Sequence, residues 1–345
     1  MTRLVFHIGH RKTGSTALQS AFAASRARLA ARGVLYPEPP HSVNHRALKA
    51  FFREGGAADA TAAARWEAIV AEVRAAAPQT VVLSAEGFFR PMTGPEMARL
   101  VAELGRIAGT VEIVAYVRSP ASYFLSSTQQ HLKRAAEIRI PSPTRCRDAL
   151  EPYLLGGPGR VIVRAFERDR LVGGDILADF CAAALPELAP ADFDAGAGEA
   201  NVTVSAEAMA LLQEANAGAW RGPGRAPDLS ARRLGDLIRR ADRRLPGGTR
   251  PRLHAEVEAA IAAQAADLGW LAETFGVTFA DAGPPAMDPA MDPAAAAARL
   301  RRIATVADMC PVDRDREAAL RATVAAAARA RANPLRRLVA ALRRG

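Results

Sequence analysis

Short apolar runs alternate with helix-forming segments along the first half of the chain. Five runs have the length and composition of strands: Arg3–Ile8, Val34–Pro37, Thr80–Ser84, Val111–Val117 and Arg160–Phe166. Helical patterning predicts helices over residues 16–32, 60–77, 96–107, 121–134 and 175–184. Strands and helices that alternate at this spacing form a parallel sheet with helices on both faces. The pattern therefore predicts an α/β fold, a three-layer sandwich with a central parallel sheet.

The rest of the chain is predicted to be helical. A helical pattern runs from Ala206 to about Phe279, and residues 283–293 have the proline-rich composition of a linker. Alanine- and arginine-rich helices follow, with breaks at Pro311 and Pro334. We therefore expect an α/β domain over residues 1–283. A linker and a basic helical tail are expected over residues 284–345, forming a helical C-terminal extension.

The formal net charge of +10 is concentrated towards the end of the chain. Residues 299–345 hold twelve arginines against four acidic residues, a net charge of +8, which leaves about +2 for the first 298 residues. The basic, amphipathic segment Leu335–Arg344 has two interpretations: a solvated helix packed on the protein, or peripheral attachment to an anionic membrane or an acidic polymer. Aromatic residues do not interleave with these arginines, so nucleic-acid binding is not predicted.

Cysteine usage and hydropathy indicate the compartment. Cys146, Cys181 and Cys310 are scattered singly, so the sequence offers neither a disulfide framework nor a paired-cysteine metal site. No stretch approaches about 18 consecutive apolar residues, so a transmembrane helix is not expected. These features predict a reducing, cytoplasmic compartment.

A polar loop follows the first predicted strand and leads into a helix: Gly9-His-Arg-Lys-Thr-Gly-Ser-Thr16. Consecutive backbone N–H groups at a helix N-terminus can hold an anion, so the loop predicts a P-loop-like phosphate site. The Walker A pattern needs a lysine directly after its second glycine. Here Ser15 follows Gly14, and Lys12 precedes that glycine by two residues. A Walker-type nucleotide triphosphatase is therefore disfavoured.

A second polar segment begins at Arg118, directly after the Val111–Val117 strand, and Ser126 stands eight residues further on. With Lys-Thr-Gly-Ser-Thr in the loop, this arrangement resembles the sulfotransferases that use 3′-phosphoadenosine 5′-phosphosulfate (PAPS). In that family a Lys-[Ser/Thr]-Gly-Thr-[Thr/Ser] loop binds the 5′-phosphosulfate, and an Arg and a Ser eight residues apart bind the 3′-phosphate. The resemblance covers about residues 3–280.

The resemblance implies roles for these residues and PAPS as the co-substrate. Lys12 is expected to be catalytic, stabilising the charge that develops on the leaving phosphate. Nucleotide binding is expected from two groups of residues: Arg11, Lys12, Thr13, Gly14, Ser15 and Thr16 at the 5′-phosphate, and Arg118 and Ser126 at the 3′-phosphate. The resemblance implies no metal, and no cluster of Asp, Glu and His has metal-ligand spacing.

The acceptor hydroxyl needs a general base within hydrogen-bonding reach. The resemblance places this base after the strand that precedes the Arg118 strand, where the sequence reads Ser84-Ala-Glu86. Glu86 is therefore the first candidate, and His45 is the second. His7 is expected to be a core histidine with its hydrogen bonds satisfied, because it lies within a strand, and His10 is expected to line the loop.

The leading hypothesis is a sulfotransferase whose acceptor is a hydroxyl of a carbohydrate, polysaccharide or glycolipid. Two alternatives stay open. One is a P-loop kinase that phosphorylates a small metabolite with ATP and magnesium. The other is a non-catalytic protein that binds PAP, the desulfated nucleotide, and has lost its base.

Overall fold

A computed structural model describes residues 1–38, 43–140, 145–194, 203–220, 230–280 and 292–332. The chain divides into two compact units. The first comprises Met1–Ser119, Thr144–Ala200 and Ala266–Pro285, and the second comprises Pro120–Pro143, Asn201–Ala265 and Ala286–Gly345. The domain boundary predicted between residues 283 and 284 lies outside the described residues.

The strands and helices have the following bounds. The strands are β1 Arg3–His7, β2 Val34–Leu35, β3 Thr80–Ser84, β4 Thr110–Val117 and β5 Arg160–Ala165. The first eight helices are α1 Ser15–Ala24, α2 Arg26–Ala31, α3 Lys49–Phe52, α4 Ala60–Ala76, α5 Gly94–Leu104, α6 Pro120–Leu132, α7 Cys146–Gly156 and α8 Ile176–Ala184. The others are α9 Ala206–Asn216, α10 Ala231–Arg244, α11 Ala255–Ala262, α12 Leu268–Phe275, α13 Pro293–Leu300, α14 Val306–Met309 and α15 Arg314–Ala332.

The first unit is built on a five-stranded parallel sheet of order β2-β3-β1-β4-β5. Successive strand residues point to opposite faces, and each face is covered by its own apolar cluster. On one face Phe6 packs in a cluster with Trp66 of α4 and Leu100 of α5. On the other, Val5 belongs to a cluster with Phe22 of α1 and Phe180 of α8. The predicted α/β fold with a central parallel sheet is confirmed, and helices on both faces agree with a three-layer sandwich.

The helix predicted over residues 16–32 was wrong in its continuity, because the chain breaks at Ser25. Ser25 adopts φ −95° and ψ 9° between α1 and α2. Its buried hydroxyl accepts a hydrogen bond of 2.8 Å from the backbone N–H of Asp194. The hydrogen bond to this distant residue stabilises Ser25 in its non-helical conformation, so the chain forms two helices instead of one.

The second unit is helical, and its core includes Phe124, Met209, Ile238, Val306 and Leu320. A buried ion pair network links three of its helices. Arg316 of α15 donates to Glu207 of α9 at 2.8 Å and to Asp242 of α10 at 2.9 Å. The predicted basic segment 335–344 lies outside the described residues. Within the described ranges, none of the helices combines the length and apolar character needed to cross a membrane.

Candidate functional site

Three polar loops meet at one edge of the sheet, where neighbouring parallel strands end. β1 lies between β3 and β4, and His7 is in register with Ser84 and with Val114. The residues that follow β1, β3 and β4 therefore leave the sheet side by side. Ligands of open parallel sheets bind at this carboxyl edge. The topology brings the loop 9–14, Glu86 and Arg118 to the same place.

The loop after β1 is held in a tight conformation with unused backbone donors. Gly9, Lys12 and Gly14 have φ values of 51°, 67° and 76°, in the left-handed region. The Thr13 hydroxyl donates to the His10 carbonyl at 2.5 Å. Within the described part of the chain, no backbone N–H of residues 11–16 donates a hydrogen bond to another protein group. Such a run of amides at the start of α1 can bind an anion.

A buried hydroxyl in the same loop also lacks a protein partner. Ser15 is 2% exposed, and among the residues that the structure describes its Oγ has no hydrogen-bond partner. Buried polar atoms are normally hydrogen-bonded, and an exception calls for an explanation such as a bound water or ion. The Ser15 hydroxyl and the amides of residues 11–16 together make this loop suited to an oxyanion.

Gly14 is required by the close approach of an aromatic ring. A Cβ added at this position would lie 2.9 Å from Cε2 of Phe166. The backbone N–H of Phe166 donates to the carbonyl of Val117 at 2.7 Å, so the ring is anchored at the end of β4. The glycine therefore permits both the left-handed turn and the contact with Phe166.

We expect Gly14→Ala to lower the free energy of unfolding by about 1–3 kcal/mol, because the substitution adds left-handed strain and a clash. Chemical denaturation measures the change. Gly55→Ala is a matched control: Gly55 has φ 71°, but nothing lies within 4 Å of its added Cβ. Gly14→Ala should lose more stability than Gly55→Ala. Equal losses would show that the Phe166 contact contributes nothing.

Arg118 contacts the loop directly. Its Nη1 donates to the Lys12 carbonyl at 2.9 Å, and its guanidinium lies 5.6 Å from the centre of the Phe166 ring. The half-buried side chain is thus placed beside the amide loop, as the sequence predicts. Ser126 lies on α6, in the second unit, and its expected cooperation with Arg118 stays a prediction.

Glu86 and Lys12 lie close to each other on this edge. Glu86 begins a short 3₁₀ turn after β3 and is half-buried. Its Cγ is 3.4 Å from the position that a Cβ on Gly9 would take. Burial lowers the pKa of Lys12, the negative charge of Glu86 raises it, and the charges of Arg118 and Arg11 lower it. In the described residues Glu86 forms no salt bridge, so its carboxylate is available to another group.

His45 is a satisfied buried histidine. Its Nδ1 accepts from the Ser84 N–H at 3.1 Å, and its Nε2 donates to the Pro37 carbonyl at 3.0 Å. Burial lowers its pKa to about 4. With both ring nitrogens engaged and no exposed surface, His45 has no free atom with which to accept a proton. Of the two candidates, only Glu86 has a polar group that is partly exposed and outside any salt bridge in the described residues.

His7 lies in the sheet core beneath the loop. It is 1% exposed, and its Nδ1 lies 2.8 Å from the Ser84 hydroxyl, which also accepts from Gln19 at 3.0 Å. Burial lowers the pKa of His7 to about 4. The His10 ring packs 4.9 Å from that of Phe89. His7 thus lies in the core as expected, but it is not fully satisfied, because its Nε2 forms no hydrogen bond within the described residues.

Comparisons with family models, curated proteins and solved structures found no match. The site must therefore be interpreted from its own chemistry. In the described ranges, no group of three or more His, Cys, Asp or Glu side chains is arranged to hold a metal ion.

Two further cations surround this edge and were not assigned a role from the sequence. The Lys49 stem packs on Gly87, where an added Cβ would lie 2.9 Å from the lysine Cδ. Burial lowers the pKa of Lys49, and the charges of Arg53, Arg90 and Arg11 lower it further. Arg90 forms a two-pronged pair with Glu96 at 2.6 and 2.9 Å. The rarity of lysine in the chain was the one signal that could have singled out Lys49.

Proposed function

We propose that this chain is a sulfotransferase that moves the sulfuryl group of PAPS to a hydroxyl of a carbohydrate, polysaccharide or glycolipid acceptor. The observation that carries the proposal is the arrangement at the carboxyl edge of β1. There, Lys12 and Glu86 stand beside the amide loop and the buried Ser15 hydroxyl, and within the described residues neither charge has a salt-bridge partner and neither the amides nor the hydroxyl has a protein hydrogen-bond partner. The amides and the hydroxyl can bind an anion, the lysine can stabilise a developing negative charge, and the carboxylate can accept a proton.

The donor-binding roles follow from the residues of the loop. The amides of residues 11–16 and the hydroxyl of Ser15 suit the 5′-phosphate. Arg118 suits the 3′-phosphate, because its planar guanidinium can make two parallel hydrogen bonds to an oxyanion. Bound PAPS supplies a sulfuryl group that is already activated for in-line displacement.

Catalysis in this proposal consists of positioning and charge compensation by the chain's own groups. Lys12, a cation in the loop, compensates the charge that develops on the leaving phosphate oxygen. Glu86 accepts the proton that the acceptor hydroxyl loses as its oxygen bonds to sulfur. Burial lowers the pKa of Lys12 from its ordinary value, and the negative charge of Glu86 partly opposes that shift. We further propose a cytoplasmic compartment, because the three cysteines are scattered singly along the sequence.

Nucleotide-dependent thermal stability tests the proposal. PAP at about 100 times its dissociation constant should add about 2.7 kcal/mol to the free energy of unfolding. We expect this stabilisation without magnesium, and we expect it to diminish when the 3′-phosphate is removed from PAP. Stabilisation by ATP with magnesium but not by PAP would instead support the small-molecule kinase.

Transfer activity separates the enzyme from a non-catalytic PAP-binding protein. Protein that is stabilised by PAP should also convert PAPS to PAP in the presence of a hydroxyl acceptor. Binding without turnover on a panel of carbohydrate and glycolipid acceptors would support the binding protein.

A further inference from the structure

A strongly basic segment of the second unit comprises α10 and the residues after it. Residues 230–252 contain eight arginines and two aspartates, a net charge of +6. Five arginines of α10 are exposed and form no salt bridge within the described part of the chain. We call them the α10 arginine face: Arg232, Arg233, Arg240, Arg243 and Arg244.

These five side chains share one side of the helix. At 100° per residue they span roughly 120° of its circumference, and Arg232 and Arg244 are about 18 Å apart along the axis. The opposite side carries Leu234, Leu237 and Ile238, which are buried in the core of the unit. The helix is thereby fixed with its cations in solvent, where Arg250 and Arg252 add two more exposed charges.

Acidic side chains of the described residues form no salt bridge with this face. Asp236 pairs with Arg239, and buried Asp242 pairs with Arg316 of α15. The helices α9 and α15 pack against α10. Their carboxylates Glu207, Glu214 and Glu317 pair with arginines of α15, and two exposed ones, Asp313 and Asp315, stand at the start of α15. The five arginines therefore retain their positive field.

We infer that the α10 arginine face binds a linear anionic polysaccharide bearing sulfate or carboxylate groups. The inference goes beyond the proposed function and concerns this surface of the second unit alone. A row of guanidinium groups complements repeated oxyanions, because each planar fork can bind an oxyanion through two hydrogen bonds. An elongated ligand can contact several arginines at once, and the individually weak contacts then add up.

The other anionic partners fit the surface less well. An interfacial membrane helix inserts apolar side chains, but those of α10 are buried, and none of the exposed large hydrophobic residues lies within residues 230–252. Single-stranded nucleic acids require aromatic stacking platforms, and this segment contains no aromatic residue.

The test measures binding of the full chain to dextran sulfate, with uncharged dextran of the same length as the reference. The variant is Arg240→Gln/Arg243→Gln/Arg244→Gln, which keeps good helix-forming residues at exposed positions. The control is Arg53→Gln/Arg74→Gln/Arg301→Gln, which removes the same charge from exposed arginines on other elements. We expect the first triple variant to weaken dextran sulfate binding about tenfold or more and to reduce its salt dependence. The control should stay within about twofold of the wild type.

Equal weakening in the two triple variants would overturn the inference, since it would show only an effect of net charge. Binding of phosphatidylserine vesicles or duplex DNA that depends more strongly on α10 than dextran sulfate binding would also overturn it. The PAP-induced thermal shift, measured on the same proteins, tests the proposed function separately. If PAP raises the melting temperature but dextran sulfate does not bind, only the inference about the α10 arginine face is rejected. If dextran sulfate binding depends on α10 but PAP does not raise the melting temperature, the proposed function is rejected and the inference about the α10 arginine face stands.

Discussion

Glu86→Gln should slow sulfuryl transfer by about 10²–10⁴-fold, the usual contribution of a general base. The amide has almost the same shape as the carboxylate but cannot accept the acceptor's proton. Because Glu86 lies beside Gly9 and is not part of a salt bridge in the described residues, the substitution should leave the loop in place. The PAP-induced stabilisation should therefore be unchanged, and the loss should fall on kcat in a steady-state assay.

His45→Gln is the matched comparison for this prediction. The glutamine side chain cannot keep both the bond to the Ser84 N–H and the bond to the Pro37 carbonyl, so the protein should lose stability. Its folded fraction, however, should transfer sulfate at nearly the normal rate. Full activity in Glu86→Gln together with an inactive but folded His45→Gln would exchange the two assignments.

The strands were predictable because their signal is local. Apolar runs that end in glycine or a polar residue mark buried parallel strands, and four of the five runs match the observed strands to within one residue at either end. The edge strand β2 is shorter than its run and comprises only Val34–Leu35, which pair with β3. The order of predicted strands also placed the three polar loops at the carboxyl edge of the sheet.

The features that the sequence analysis missed depend on distant partners. The helix break at Ser25 needs the N–H of Asp194, and the burial of His45 needs β3 and the carbonyl of Pro37. These partners lie outside the local segments from which helices and strands are predicted, so the sequence pattern around Ser25 or His45 does not indicate them. The net charge of about +2 over the first 298 residues does not indicate the +6 segment at residues 230–252, because acidic residues elsewhere offset it.

The sequence patterns of single helices also did not predict which helices pack against one another. Phe124 of α6, Met209 of α9 and Leu320 of α15 share one core, although about 200 residues separate the first from the last. Amphipathic patterns show which face of each helix is buried but not which other helix covers it. The division of the chain into two units consequently became visible only in the folded structure.

Lys12→Met should reduce kcat for transfer by about 10²–10³-fold, the cost of removing one preorganised group that stabilises transition-state charge. Methionine keeps the length of the side chain and removes its charge. Lys12 already adopts a left-handed backbone conformation, and its carbonyl accepts from Arg118, so neither feature depends on the lysine amine. Affinity for PAP, in which the bond to sulfur is already broken, should fall much less than kcat.

Arg118→Met should weaken PAP binding more than it lowers kcat, the opposite of Lys12→Met, because the Arg118 guanidinium is proposed to bind a phosphate that does not react. We expect a large increase in the dissociation constant for PAP and a smaller change in kcat at saturating PAPS. Arg74→Met, an exposed charge removal on α4, should change neither quantity. If Lys12→Met weakened PAP binding and transfer to the same extent, Lys12 would bind donor and transition state equally, and its proposed role at the leaving oxygen would be wrong.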